Sequence, residues 1–276
     1  MNCYIFPSEK TLSDTCICDS DTLTDLTVHL RECGIKRIFT SVNNSTADVE
    51  VLSFPQALRH LGNQWIEAYS GMLTRQNPFD LREKAMARGA LKAVSLGCSG
   101  RPWRHTCVFT SADGLITGTE SDPSPENAKT NLCFSGLIWR CCEWDNPERS
   151  RDFLNCSGFF LDGYWREIRD REDILTAYYH ILTGELSPWP HLSLTEGCVV
   201  IRSAVPISAT LKGVMWVGKS CSIGENCLLE NCVILDGAQV GDGAKLRNCL
   251  ILENATVPPG HEITDKYLTT LGEQNG

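Results

Sequence analysis

Leu229-Glu230-Asn231-Cys232-Val233-Ile234-Leu235 is answered seventeen residues later by Leu246-Arg247-Asn248-Cys249-Leu250-Ile251-Leu252. Ala238, Val240 and Gly243 are answered at the same distance by Ala255, Val257 and Gly260. Outward from this pair, aliphatic residues return every six positions from Val205 through Leu211, Val217 and Ile223 to Leu229. The count then shortens by one to Ile234, resumes at Val240 and Leu246, shortens again to Ile251 and resumes at Val257. Seventeen is three sixes less one. One repeat is therefore one turn of a three-sided coil with a shortened corner. Strand alternation has period two and does not give a return at six. Self-similarity at a short fixed period marks a solenoid, whose turns bury their apolar edges only by stacking.

This pattern resembles the hexapeptide-repeat left-handed β-helix. It predicts about three to four coils over residues 196–263, with Val217, Ile223, Ile234, Val240 and Leu246 pointing inward. Gly218, Gly224, Gly237 and Gly241 fill the corners. The coil alone names no function, since such helices occur in acyltransferases, nucleotidyltransferases and spacers.

The chain has 276 residues, 42% hydrophobic and 21% charged, as in an ordinary globular protein of two domains or one large one. A net charge of -9 argues against a nucleic-acid partner, which needs a basic face. No apolar run reaches the roughly 18 residues of a membrane span. Met1-Asn2-Cys3-Tyr4 lacks the basic start of a signal peptide, so a cytoplasmic location is the expectation. Fifteen cysteines are many, but Cys16-Ile17-Cys18 and Cys141-Cys142 do not make the paired spacing of a zinc site. Cys221, Cys227, Cys232 and Cys249 fall within the repeat as small apolar side chains, and buried free thiols are expected.

Upstream, the pattern changes to alternating strands and helices. Residues 2–6 read as a strand, Leu23 to Cys33 as a helix capped by Asp21 or Thr22, and Ile35 to Val42 as a second strand. This is a βαβ unit. Further helices are expected at Pro55 to Leu61, Phe79 to Arg88 and Arg171 to Thr183. Strands are expected at Trp65 to Tyr69, Ala90 to Leu96 and Leu132 to Trp139, with a hairpin across Ala112-Asp113-Gly114. Gly158 to Ile168 reads as irregular. Ser187-Pro188-Trp189-Pro190 reads as a linker. The expected division is an α/β domain over 1–186, a linker over 187–195, the coil over 196–263 and a tail over 264–276.

Several stretches of the α/β part are similar to sugar-1-phosphate nucleotidyltransferases, the nucleotide-sugar pyrophosphorylases. Leu30-Arg31-Glu32-Cys33-Gly34-Ile35-Lys36-Arg37-Ile38 resembles that family's L-x-x-x-G-I-x-x-I. Gly114 to Pro123 resembles G-x-V-x-G-x-x-E-K-P, and Leu132 to Ile138 resembles V-N-A-G-I-Y. Asp162 to Ala177 resembles G-Y-W-x-D-I-G-T-P-E-D-Y-L-x-A. An α/β domain running into a short hexapeptide helix looks most like the mannose-1-phosphate guanylyltransferases. The resemblance implies a Rossmann-like domain with a mixed, mostly parallel sheet, followed by the left-handed β-helix. It also implies Mg2+ if the protein is active, since nucleotidyl transfer needs phosphate-cradling amides, a cation and metal-holding carboxylates.

The matched positions that remain are Ser70, Gly71, Glu120, Gly136 and Trp165, implied to bind substrate, and Glu167, implied to hold metal. The charged chemistry is replaced. The glycine-rich phosphate loop appears as Phe6-Pro7-Ser8-Glu9-Lys10-Thr11-Leu12-Ser13-Asp14, without glycine. The metal aspartate appears as Met72, the lysine of E-K-P as Asp122 and the asparagine of N-A-G as Phe134. The segment from Asn44 to Gly71 is shorter than the family's. No catalytic residue is assigned. The expected protein is a catalytically impaired pyrophosphorylase-like subunit. It would bind a sugar nucleotide or sugar phosphate and assemble as a homo-oligomer or with a paralogous pyrophosphorylase. One alternative is an active nucleotidyltransferase with an unusual site, for which Lys10, Arg75, Lys92 and Arg101 are the available cations. A second is a hexapeptide acyltransferase, with His191 or His261 as general base. A third is an oligomerisation module.

Overall fold

Cys3, Tyr4 and Ile5 are consecutive and fully buried, so the strand Asn2–Phe6 is covered on both faces. Such a strand belongs in the middle of a sheet. In the structure, a computed structural model, it pairs in parallel with Ile38–Thr40 on one side and Gln64–Tyr69 on the other. The structure describes residues 1–7, 16–18, 20–42, 48–141, 153–186, 198–269 and 272–275. The loop from Ser8 to Asp14, with Lys10, the linker 187–195 and His191 lie outside them.

Helix α1, Thr22–Glu32, makes the crossover between the first two parallel strands, as the strand–helix–strand spacing predicts. The Asp21 carboxylate accepts from Thr24 N at 2.8 Å and fixes its start. Leu23, Leu26 and Leu30 bury into one core with Cys3, Ile5, Ile38, Ile66 and Ala68. Helix α2, Phe54–Leu61, packs Ala57 and Leu61 against Tyr4, Phe39 and Trp65 in another core.

Beyond Gln64–Tyr69 the sheet turns antiparallel. Leu132–Cys141 pairs antiparallel with Gln64–Tyr69, Lys92–Cys98 and Thr106–Thr110, and the last pairs antiparallel with Ile116–Ser121. Ser157–Phe160 adds to Lys92–Cys98 in parallel, and Glu50–Val51 to Ile38–Thr40. Helix α3, Pro78–Ala87, buries Leu81 and Ala85 into the α1 core. The sheet is therefore mixed, and pairing across the molecule is mostly parallel once the coil is included. The stretch expected to be irregular holds two short strands, Ser157–Phe160 and Trp165–Glu167, the latter antiparallel to Met72–Thr74. Their partners lie far away in sequence, so no local alternation announces them.

The chain divides into two compact units: Met1–Cys16 with Ser20–Arg169, and Ile17–Asp19 with Asp170–Gly276. The division falls at Arg169 rather than near residue 186. Helix α4, Arg171–Leu182, goes with the coil because Tyr178 packs edge-on against Trp216 at 5.3 Å. An amphipathic pattern gives a buried face but not the partner it faces, and the proline-rich stretch drew the boundary downstream.

In the second unit the repeat is a β-helix of stacked parallel rungs. Leu211, Leu229, Leu246 and Ile263 stand in register on one side. Val217, Ile234, Ile251 and Leu268 form a second row, and Ile223, Val240 and Val257 a third. Val217, Ile223, Ile234, Val240 and Leu246 are 0%, 6%, 0%, 3% and 1% exposed, as the six-residue count requires. The shortened corner carries Asn231, Asn248 and Asp265 in the left-handed backbone region, at φ 51, 50 and 54. Their side chains form a ladder: Asn231 Oδ1 accepts from Val214 N, Asn231 Nδ2 donates to Asn248 Oδ1, and Asn248 Nδ2 donates to Asp265 Oδ1. Asparagine suits both demands, since it tolerates this backbone and offers both donor and acceptor.

The coil continues past Ile263. The expected tail contributes a further rung, Lys266–Thr269, in parallel register with Leu250–Ile251, and Gly272–Asn275 folds back antiparallel on it. This rung repeats the five-residue step from Ile263 to Leu268, but with Asp265 and Lys266 where the earlier turns have Asn-Cys, so its likeness is faint in the sequence. No helix among the described residues is long and apolar enough to cross a membrane.

Candidate functional site

In open α/β sheets, ligands bind at the carboxyl ends of the strands. Gln64–Tyr69 ends there in Ser70-Gly71. Ser70 N donates to Phe6 O at 2.9 Å, and Gly71, at φ 82, reverses the chain into Met72–Thr74. Met72 stands opposite Glu167, and Thr74 opposite Trp165, in the small antiparallel pair. Ile168 N donates to Gly71 O at 2.8 Å. Ser70, Gly71, Trp165 and Glu167, far apart in sequence, are thus gathered by two strands.

Gly136 joins them through a bulge. The pairing of Leu132–Cys141 with Lys92–Cys98 shifts register between Phe134 and Ile138, and Gly136 sits there at φ 104. A Cβ on Gly136 would lie 2.9 Å from Met72 Cε, so the buried methionine fills the space over the bulge. Buried polar side chains hold the bulge open. The Ser135 hydroxyl lies 2.8 Å from Gln76 Oε1 and 2.9 Å from Ser95 Oγ, and Leu137 N donates to Ser95 Oγ at 2.9 Å. Gln76 also donates through Nε2 to Leu161 O, and His29 Nε2 lies 2.9 Å from Gln76 O.

Trp165 lies directly on Gly97: a Cβ there would come within 2.0 Å of the indole Nε1. Its other neighbour is His105, edge-on at 5.2 Å. His105 Nδ1 is 3.4 Å from Glu167 Oε2, and Arg169 Nε is 3.3 Å from the same oxygen. Arg169 also pairs with the Asp122 carboxylate and donates to Arg104 O. The reading of the sequence did not pick out His105 or Arg169. The pairing of Arg169 with Asp122 joins residues 47 apart, so no local spacing announces it. Glu120 stays apart. It stands on Ile116–Ser121 opposite Cys107, and among the described residues no hydrogen bond or ion pair ties it to Trp165 or Glu167.

The expected cations are occupied or distant. Arg75 makes a fork onto Asp25, with 2.7 and 3.0 Å contacts, and serves the helix α1 interface. Lys92 begins the seven-residue strand that carries Gly97 near its far end, about 17 Å away by strand rise. Arg101 precedes the 3-10 turn Pro102–Arg104, whose Pro102 is buried, and its backbone N donates to Ser99 Oγ at 3.1 Å.

Mg2+ does not fit this donor set. It demands near-octahedral oxygen ligands. One expected carboxylate, Glu167, is shared by His105 and Arg169, and the other position is the thioether of Met72. Among the described residues no group of three His, Cys, Asp or Glu side chains could hold a metal. The cysteines are free thiols where described. Cys107 and Cys133 face each other across two strands, and burial pushes the Cys133 thiol up to about 12, so it stays protonated and unreactive. What the site offers is a tryptophan face, aromatic neighbours in Tyr69 and Phe134 at 5.5 Å from one another, and a fixed Arg–Glu–His cluster. Such a site can hold a ring and a polar group. It lacks the separated charges that stabilise a transferring phosphoryl group.

Residues 192–267 match a family model described as the GlmU-like C-terminal hexapeptide. That span agrees with the β-helix in the structure and covers the second unit only in part. No curated protein matches the chain.

Proposed function

We propose that this chain is a nucleotide-sugar pyrophosphorylase-like protein with impaired catalysis, binding a sugar nucleotide or sugar phosphate in a Rossmann-like nucleotidyltransferase domain. The observation that carries this reading is Met72 buried against Gly136 at the position of a metal aspartate, beside a Glu167 already engaged by His105 and Arg169. The glycine positions around the site are, in this reading, kept while the groups that move phosphate are replaced. In this reading the protein is a cytoplasmic regulatory or scaffold subunit. Its left-handed β-helix joins it to further copies or to a catalytic paralogue, since a short coil stack with open ends favours assembly. Mg2+ plays no part in binding.

An acyltransferase needs a histidine aimed at its acyl acceptor. His261 is an exposed corner residue whose backbone carbonyl accepts from Lys245 N, which gives it a place in the rungs instead. The hexapeptide match is shared by both readings, and the Trp165 site favours the first. The test is thermal melting with nucleoside diphosphate sugars across the four bases. At least one should raise the melting temperature by the few degrees that saturation at about a hundredfold over Kd confers. Trp165→Leu should abolish that shift. A flat panel removes the binding role.

A further inference from the structure

A cavity in the first unit lies away from the Trp165 site. It holds about 530 Å³, within the range of small-molecule pockets. It opens where Lys92–Cys98 begins, at the opposite end of that strand from Gly97 and Trp165. Its wall carries four donor side chains: Arg88, Lys92, Asn155 and Ser157.

Two of these are held in place. The Arg88 guanidinium lies over the Phe159 ring at 5.4 Å and against Gly114, where a Cβ would come within 2.9 Å of Arg88 Nη1. Gly114, at φ 77, is therefore the residue that lets the guanidinium settle there. Lys92 extends over Phe153 at 5.8 Å. Burial, with Arg140 nearby, lowers its pKa, which is the sign of a cation short of solvent. Asn155 adds its amide from a left-handed backbone position, φ 59. Among the described residues the one acid in the wall is Asp113, at the hairpin tip, and it accepts from Ser111 Oγ. Two apolar residues complete the wall. Leu91 is 68% exposed and Leu115 is 36% exposed, and both stand in the wall of the same cavity.

We propose that this cavity binds a small organic phosphate, with the phosphate between Arg88 and Lys92 and the organic group over Leu91 and Leu115. Two cations with neighbouring amide and hydroxyl donors suit a multiply charged tetrahedral anion better than a lone carboxylate. The leucines select a phosphomonoester over free phosphate, because covering them removes apolar surface from water. The site is independent of the Trp165 site and of the function proposed for it. It gives the fold a second ligand at the opposite end of the sheet.

The experiment is calorimetric titration of the full chain with inorganic phosphate and with phenyl phosphate. Both should saturate, with phenyl phosphate the tighter and its Kd near or below about 1 mM. Arg88→Glu, at an exposed position, should weaken both by about tenfold or more. Leu91→Ser should weaken phenyl phosphate and leave inorganic phosphate unchanged. Trp165→Leu should leave both unchanged. The proposal is overturned if neither probe saturates, if Arg88→Glu binds as well as the parent chain, or if Trp165→Leu is the variant that loses binding. Equal affinity for the two probes overturns the assignment of an organic phosphate.

Discussion

Inside the coil, every inward position is apolar, and the polar groups sit at the corners in a ladder of asparagines one turn apart. Inside the sheet unit, ion pairs and hydroxyls are buried among the leucines. Arg140 and Glu67 are 5% and 0% exposed and bonded to each other, Arg75 grips Asp25, and Ser95, Ser135 and Gln76 hold the bulge at Gly136. The contrast separates two ways of specifying a structure. The coil repeats one apolar arrangement and can be extended rung by rung. The sheet unit uses buried polar groups that work only in one register, and one set of them, Ser95, Ser135 and Gln76, lies beside the candidate site.

Three experiments probe the contrast. The largest effect should come from Val240→Asp, which puts an unpaired carboxylate into an interior without donors. A loss of about 4 kcal/mol or more is expected in denaturant unfolding of the coil. A small loss would show that the coil interior is open to water. Next is Arg140→Met, which leaves Glu67 buried without its guanidinium partner. It should cost about 3–5 kcal/mol, and adding Glu67→Leu should restore most of that. If the double variant is no better than the single one, the pair is not the unit of stability described here. The smallest effect concerns His29, whose pKa burial lowers. The unfolded chain takes up this proton at about pH 6.5, while the folded chain resists it to lower pH. Stability from this source is complete above about pH 6.5 and falls as pH drops through that value toward the folded pKa. His29→Gln should flatten that part of the stability–pH curve. An unchanged slope would mean that the helix α1 end opens to accommodate the charge.

The same contrast explains what could be read in advance. The burial of Val217, Ile223, Ile234, Val240 and Leu246 was legible because the period writes each contact into the next repeat. Strand and helix positions around Asn2–Phe6 were legible from alternation and capping. The buried pairs were not, because they join residues 73 apart at Glu67 and Arg140 and 50 apart at Asp25 and Arg75. At the site, Ser70, Gly71, Gly136, Trp165 and Glu167 do come together on adjacent strand ends. His105 and Arg169 escaped because their role is to engage Glu167 and Asp122, a relation of charge across space. The strand Trp165–Glu167 escaped because its partner, Met72–Thr74, lies more than ninety residues earlier.

The site proposed above is nucleotidyltransferase-like without the phosphate chemistry. A coupled pyrophosphate-release assay tests it most directly. It would combine each of the four nucleoside triphosphates with mannose-, glucose- or N-acetylglucosamine-1-phosphate and Mg2+. One lost electrostatic contact commonly costs about 3 kcal/mol, a hundredfold or more in rate, and the proposed reading has several replaced. The account predicts turnover far below the ordinary enzyme range of about 1–1000 per second for every pair. Turnover near one per second with any pair would contradict it, and would mean that Arg169, His105 and Glu167 carry the chemistry that the replaced residues do not.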